Sequence, residues 1–309
     1  MSNVASKEFN HLKIHTQYSI CEGALRTLDL AKYCKDNKLK AVGLCDSYNL
    51  CGALEFSESI AKSKTQPIIG TQINILHKGV IGKIPLFAKN LEGYKNLIKL
   101  SSKSFLEIKN DEEPHCKFED LEKNYNGLII LSGSLDGLVG KLFFKNLTDE
   151  IFIFLKKLKK IFANNFYLEI QRHNDNGEKL YEKFILNASQ MLEIPIIATH
   201  EVFYIDKSMH EAHDAFICIG EKTYVNAKDR KRYTSEHYLK TSNEMYEIFS
   251  DLPDALENNL NFPKRVSYRP KNSLPVLPNI QTNKSKSTDE SLIEDSKIGI
   301  PVQFINFRD

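Results

Sequence analysis

Seven short apolar runs punctuate the first two thirds of the chain: FNHLKIH (9–15), AVGLCD (41–46), IIGTQINI (68–75), IPLFA (84–88), LIILS (128–132), FYLEIQ (166–171) and PIIAT (195–199). Most are continuous rather than alternating, which is the pattern of strands buried on both faces. Helical spacing fills the gaps. It starts near Thr27, with Leu28, Ala31 and Cys34 on one face, and returns over 54–62, 91–102, 149–163 and 178–193. Strand–helix alternation of this kind predicts a parallel, barrel-like α/β domain. In such folds the chemistry sits where the strands end.

From about Met209 the pattern turns helical, over 209–219, 242–249 and 253–264, with Pro253 suited to a first helical position. The stretch 269–290 is rich in Pro, Asn, Ser and Lys and reads as linker. The expected organisation is a disordered N-terminus over 1–8, a barrel over 9–208, a short helical extension over 209–268, and a linker and tail over 269–309.

A chain of 309 residues can bury a core without disulfides. The six cysteines include no C-x-x-C pair, which argues against a zinc ribbon or redox motif and for a reducing, cytoplasmic setting. Cys34 and Cys45 read as small buried hydrophobes. With 42 Lys and Arg against 40 Asp and Glu, the net charge of +2 excludes a strongly basic, nucleic-acid-coating protein. Lys156, Lys157, Lys159 and Lys160 lie on the polar side of the most amphipathic helix and read as a solvated face. No 18-residue apolar run is present, so no membrane span is expected, and MSNVASKEFN has no apolar signal core.

The strand ends carry the polar residues. His15, Asp46, Gln72, Ser132 to Ser134, Gln171 to His173, and His200-Glu201 would converge on one rim. Imidazoles and carboxylates there could hold metal ions that activate water on a phosphoester. Only His15, Asp46, His173, His200 and Glu201 suit that role, and none has the tight H-x-H or D-x-H spacing of neighbouring ligands on a strand. A rim whose side chains satisfy one another is the competing reading. The pair His210/His213 lacks a third ligand nearby. Phosphate-loop, dinucleotide-binding and nucleophile-elbow motifs are absent from the sequence.

Several runs resemble one family in order and spacing: HLKIHTQYSICEGAL (11–25), AVGLCDSYNLCGALEF (41–56), QPIIGTQINI (66–75), PLFAKNLEGYKNLIKLSS (85–102), GLIILSGSLDG (127–137), YLEIQRH (167–173), IPIIATHEVFY (194–204), EAHDAFICIGEKTYV (211–225), RYTSEHYLKTSNEM (232–245) and FSDLPDALENN (249–259). Together they are similar to the N-terminal PHP domain (polymerase and histidinol phosphatase domain) of bacterial DNA polymerase III alpha subunits and to the segment that follows it. The resemblance spans roughly residues 9 to 280, thins beyond that, and leaves PVQFINFRD (301–309) unmatched.

The resemblance implies a distorted seven-stranded (β/α) barrel whose rim holds up to three metal ions in the family's metal-binding members. The first His of the family's H-x-H falls on Lys13 and the second on His15. The following Asp falls on Glu22. The His after the strand-two Asp falls on Ser47, while Asp46 itself remains. The next Glu falls on Gln72, the next His on Lys83, the next Cys or His on Ser134. The final D-x-H becomes Glu201 and Phe203. Lys13 and Lys83 would put ammonium groups where cations sat, which should abolish multi-metal binding. These lysines could pair instead with Asp46, Glu22 or Glu201. The expectation is a metal-free, catalytically silent PHP domain.

The resemblance further implies that nucleotidyl transfer, with its Asp-bound Mg²⁺ ions, belongs to a palm domain beyond this piece. DNA would be gripped mainly by domains outside it. The implied role of the piece is a platform for the proofreading exonuclease subunit and other replicase subunits. The alternative is a free-standing, metal-dependent phosphoesterase of the PHP superfamily.

Overall fold

The computed structural model describes residues 7–109, 111–276 and 287–306. The chain falls into two compact units, the first ending at Lys271 and the second starting at Asn272. Of the span expected to be disordered, residues 1–6 lie outside the described residues.

In the first unit the chain runs β1 (Lys13–Ile14), α1 (Thr27–Asp36), β2 (Ala41–Ser47), α2 (Ala53–Lys62), β3 (Gln66–His77), β4 (Val80–Ala88), α3 (Leu91–Leu106), β5 (Cys116–Lys117), α4 (Phe118–Lys123) and β6 (Leu128–Leu131). It continues with α5 (Leu138–Phe144), α6 (Thr148–Phe162), β7 (Phe166–Ile170), α7 (Glu178–Leu192), β8 (Ile196–Ala198), β9 (Glu201–Val202), α8 (His210–Gly220), α9 (Ser242–Ile248) and α10 (Pro253–Asn261). One sheet runs in the order β8-β7-β6-β4-β3-β2-β1-β9, with β5 off this path on β3. Its two outer strands, β8 and β9, are separated in sequence only by Thr199 and His200. One run of chain therefore serves both edges, and the sheet curls back on itself. Counting that run once and setting β5 aside gives the seven staves expected.

The sheet is mixed rather than all parallel. β4 is antiparallel to both β3 and β6, and the other pairs are parallel. The reason is the link between β3 and β4. Lys78 and Gly79 both take positive φ, 50° and 72°, as a tight two-residue hairpin requires. A parallel crossover needs a dozen or more residues, which this link does not have.

Side-chain alternation then sorts the inside of the curled sheet into two levels. Cys45, Ile68, Phe87, Tyr167 and Ile197 belong to one apolar cluster. Two or four residues along the same strands, on the same face, come Ser47, Gln72, Lys83, Glu169 and Glu201. The polar level is the rim. In antiparallel β4 it is reached through the first half of the strand, which is how Lys83 arrives there. Outside, α6 buries Ile151, Phe154, Leu155, Leu158 and Phe162, and it exposes Lys156, Lys157 and Lys160.

The helical extension closes the apolar end. Phe262 packs edge-on to Phe87, with ring centroids 5.3 Å apart, and lies 6.3 Å from Tyr167. Asn259 is fully buried beside it. Its amide donates to the carbonyls of Asn10 (2.8 Å) and Ala198 (3.0 Å), and its Oδ1 accepts the Asn10 N–H at 2.8 Å. Asn10 Nδ2 returns a bond to the Asn259 carbonyl at 3.1 Å. Residues 209–268 therefore belong to the same compact unit as the sheet. All six cysteines are free, and Cys34 and Cys45 are buried. Among the described residues no helix is long and apolar enough to cross a membrane.

In the second unit, α11 (Thr288–Asn306) forms within the span expected to be linker and tail. Ser287 starts it as a capping box: Ser287 N–H donates to Glu290 Oε2 at 2.9 Å, and Glu290 N–H donates to Ser287 Oγ at 3.3 Å. The remainder of the expected linker includes 277–286, which lies outside the described residues.

The Asn259 clamp yields a test. Asn259→Leu keeps the branched shape but leaves the Asn10 amide and the Ala198 carbonyl buried without partners. Urea unfolding should show a loss of about 2–4 kcal/mol, the cost of stranding buried backbone groups.

Candidate functional site at the polar rim

The deepest rim residue is Lys13. HLKIH places it inside the sheet between apolar Leu12 and Ile14, and its side chain is fully buried. Its Nζ lies 3.4 Å from Glu169 Oε1 and 3.4 Å from Glu201 Oε1. Burial works against the ammonium charge, but the two carboxylates outweigh it and hold its pKa above the ordinary value. Glu201 is held well below the carboxylate range: burial pushes upward, and Lys13 and His15 more than offset it. Burial wins at Glu169, which is raised although Lys13 and Thr199 pull the other way. Glu201 also accepts from Gln72 Nε2 at 2.6 Å and contacts His15 Nε2 at 2.9 Å.

The second cation is Lys83, which is partly buried. It donates to Glu22 Oε1 at 2.7 Å and to Ser47 Oγ at 3.1 Å, and Ser47 Oγ in turn donates to Glu22 Oε2. Tyr233 donates to Glu22 at 3.1 Å. Burial would raise the Glu22 carboxyl, but Lys83, His15 and Lys231 carry it far below the usual range. Asp46 pairs differently from the expectation. It accepts from Thr16 N–H (2.6 Å), Thr16 Oγ1 (2.8 Å) and Ser19 Oγ (2.7 Å), so hydroxyls and backbone hold it rather than a lysine. Phe203 packs on His15 at 4.7 Å and on Tyr233 at 4.5 Å. Ser134 lines the cleft of about 600 Å³ that opens over Glu22, Gln72, Lys83 and Glu201. The structure thus brings all ten rim positions, Lys13 to Phe203, to one end of the sheet.

These residues do not suit the metal ions that the resemblance associates with the rim. The ammonium groups of Lys13 and Lys83 already neutralise its carboxylates. A cation placed between Glu169 and Glu201 would lie against Lys13 Nζ. One other group among the described residues, His173, Asp175 and His237, has potential ligand atoms within 4.8 Å of one another. The His173 and His237 rings stack, parallel to within 3° with centroids 4.0 Å apart. His173 Nε2 accepts the Glu201 N–H at 3.2 Å, and His237 Nε2 lies 3.8 Å from Asp175 Oδ2 without a hydrogen-bond partner.

The other histidines seen at strand ends and helix faces hold backbone. His200 Nε2 meets the Tyr238 carbonyl at 2.9 Å, His11 Nε2 the Lys240 carbonyl at 2.8 Å, His210 Nε2 the Tyr233 carbonyl at 3.0 Å, and His213 Nε2 the Glu22 carbonyl at 2.8 Å. His210 and His213 thus serve two different carbonyls and do not act as a pair. Burial lowers His173 and His200 well below the imidazole range and brings His11 down to about 4. Glu178 moves the other way. Burial pushes it up to about 7 although it accepts the N–H groups of His173 (2.6 Å) and Asn174 (2.9 Å). Glu169, Glu178, Tyr233 and His237 were not singled out from sequence. Glu169 had one signal, a lone carboxylate inside the apolar run FYLEI.

A curled α/β sheet with a polar rim and a helical closure is the setting of a PHP domain. Residues 11–173 match the PHP domain family, and the chain belongs to it. The chain is similar to the DNA polymerase III subunit alpha of Rickettsia bellii, with 38% identity over 91% of this chain and 24% of that protein. It is also similar to the DNA polymerase III subunit alpha of Caulobacter vibrioides, with 32% identity over 98% of this chain and 27% of that protein. The second match leaves 2% of the chain outside it, so it runs on past residue 280, where the sequence resemblance thins. The chain spans about a quarter of the length of the curated relatives it matches. Among solved structures, a putative metal-dependent phosphoesterase from Bifidobacterium adolescentis aligns with a TM-score of 0.41 at 12% identity, covering 63% of this chain and 87% of that one.

Two outcomes test the rim. Lys13→Met leaves Glu169 and Glu201 buried without their cation and should cost about 3–5 kcal/mol in denaturant unfolding, whereas Lys13→Met with Glu169→Gln and Glu201→Gln should recover most of that loss. For His11, the folded pKa is about 4 against 6.5 unfolded, so the unfolded chain binds the extra proton between these values and stability rises as pH rises across that window. His11→Gln should remove one proton from that slope, about 1.4 kcal/mol per pH unit, read from unfolding free energies at pH 4 to 6.5.

Proposed function

We propose that the chain is the N-terminal PHP region of a replicative DNA polymerase III alpha subunit, acting in the cytoplasm as a metal-free structural platform. The observation that carries this reading is the fully buried Lys13 ammonium between Glu169 and Glu201, with Lys83 on Glu22 beside it. The lysines take over the electrostatic role that metal ions would have, and they hold the rim closed. They cannot polarise a phosphoester or lower the pKa of a bound water as a divalent ion does. The rim therefore binds its own side chains together and supplies no hydrolytic nucleophile.

Template-directed nucleotidyl transfer, with its Mg²⁺-binding carboxylates, is assigned to the three quarters of the relatives that the match does not span. The role of the present residues is to dock other replicase subunits, the proofreading exonuclease first among them. A rim without its own hydrolytic centre accords with proofreading supplied by a separate subunit.

The test is metal analysis of the purified chain together with hydrolysis of a chromogenic phosphoester in Mn²⁺ or Zn²⁺. The expected result is less than one equivalent of divalent ion and no metal-dependent turnover. Two or three bound ions with turnover would instead identify a phosphoesterase. Co-purification with the cognate exonuclease subunit tests the docking role.

A further inference from the structure

Two loops meet beside the rim. Residues 16–25 fold tightly on themselves: the Thr16 carbonyl accepts from Ser19, the Ser19 carbonyl accepts from Glu22 and Gly23, and Gln17 N–H reaches the Leu25 carbonyl. This holds Ile20 and Cys21 at the tip. The last turn of α8, which leads into the second loop, comes against it at Gly220, where an added β-carbon would lie 2.5 Å from Cys21 Cβ. Glycine is what permits that approach. Arg230 orders the second loop. Its guanidinium spans both oxygens of Asp214 at 2.6 Å each and donates to the Val225 carbonyl at 2.9 and 3.2 Å. A bidentate pair of this kind fixes orientation as well as position.

The result is an apolar patch on the first loop, the last turn of α8 and the loop that follows it. Ile20 is 76% exposed, Ile219 72%, Tyr224 80% and Val225 53%. Ile20 and Ile219 are the chain neighbours of Cys21 and Gly220, the two residues in close approach. Single exposed apolar residues are ordinary on a surface, whereas four on adjoining ordered segments mark a contact site. Exposed cations outnumber exposed carboxylates over 221–232, with Lys222 and Arg232 among them.

We propose that this patch docks a protein segment in which apolar side chains alternate with carboxylates. The apolar residues would seat on Ile20, Ile219, Tyr224 and Val225, and the carboxylates would meet Lys222 and Arg232. A protein is favoured over nucleic acid because three of the four apolar groups are aliphatic. They offer nothing to a phosphate backbone, and one tyrosine is a short stacking platform. This inference rests on the docking role proposed above and names the surface that performs it.

The experiment is titration calorimetry of the chain against its cognate exonuclease subunit. It compares wild type, Ile219→Asp with Tyr224→Asp, Lys222→Glu with Arg232→Glu, and Leu28→Asp as a surface control 69% exposed on α1. Thermal melts check that each variant is folded. The expected result is weakening of about tenfold or more for the apolar pair, a smaller but salt-dependent loss for the charge pair, and no change for the control. Wild-type binding that the patch variants retain would overturn the patch and leave the docking role standing. No wild-type binding would overturn both. A parallel titration with a fluorescent dT20 completes the test: loss of that binding alone in the same variants would overturn the protein partner in favour of single-stranded nucleic acid.

Discussion

A buried ammonium between two buried carboxylates is the constraint around which the rest of this structure is arranged. Lys13 cannot reach water, and neither can Glu169. Either charge left alone would be far too costly to bury, so the strands that carry them must meet. Lys13 enters from β1, Glu169 from β7 and Glu201 from β9. Satisfying this one group therefore ties together the first strand, the sixth stave and the run that joins the two edges of the sheet. His15, Gln72 and Lys83 extend the network, and each further contact fixes a further strand at the same level.

The polar level also explains why the histidines cluster where they do. His173 stacks on His200 at 4.6 Å and on His237 at 4.0 Å, so flat rings fill the space between the rim and the segment around residues 233–241. Their protons go to carbonyls of that segment or are fixed by nearby backbone. A neutral imidazole can be stacked in this way without a counter-ion, whereas a charged one could not be buried there without a cost. The same residue type that suggested metal chemistry at the strand ends works here as a packing and bonding element.

The staves were legible because strands buried on both faces write themselves as unbroken apolar runs. The direction of β4 was harder to read. It depends on whether three residues, His77 to Gly79, turn the chain back, and that is a matter of two positive φ angles rather than of hydrophobicity. The rim was legible in its membership and less so in its pairing. Lys13 with Glu201 follows from neighbouring strands, but Lys83 reaches Glu22 across the rim, and Asp46 found hydroxyls because the loop after β1 folds over it. Glu169 lay in view as a single carboxylate in FYLEI, just as Lys13 is a single cation in HLKIH; each alone looks like an ordinary alternation. Asn259 left no signal, since its partners are backbone groups 61 and 249 residues away, at separations no local pattern can encode. The capping box at Ser287 and Glu290 was masked by the composition around it.

That same long reach sets an order of assembly. Asn10 waits for Asn259, His11 for Lys240 and β1 for β9. On a ribosome the first strand emerges about two hundred residues before the strand that covers its open edge. Until then the nascent sheet has an unprotected border and an unneutralised lysine inside it. Contacts this distant slow folding and leave partly built sheets open to mispairing. The charge at Lys13 acts against premature closure, because an apolar collapse that excludes Glu169 and Glu201 would trap a bare ammonium. A buried lysine can thereby serve as a checkpoint on when the sheet is allowed to close.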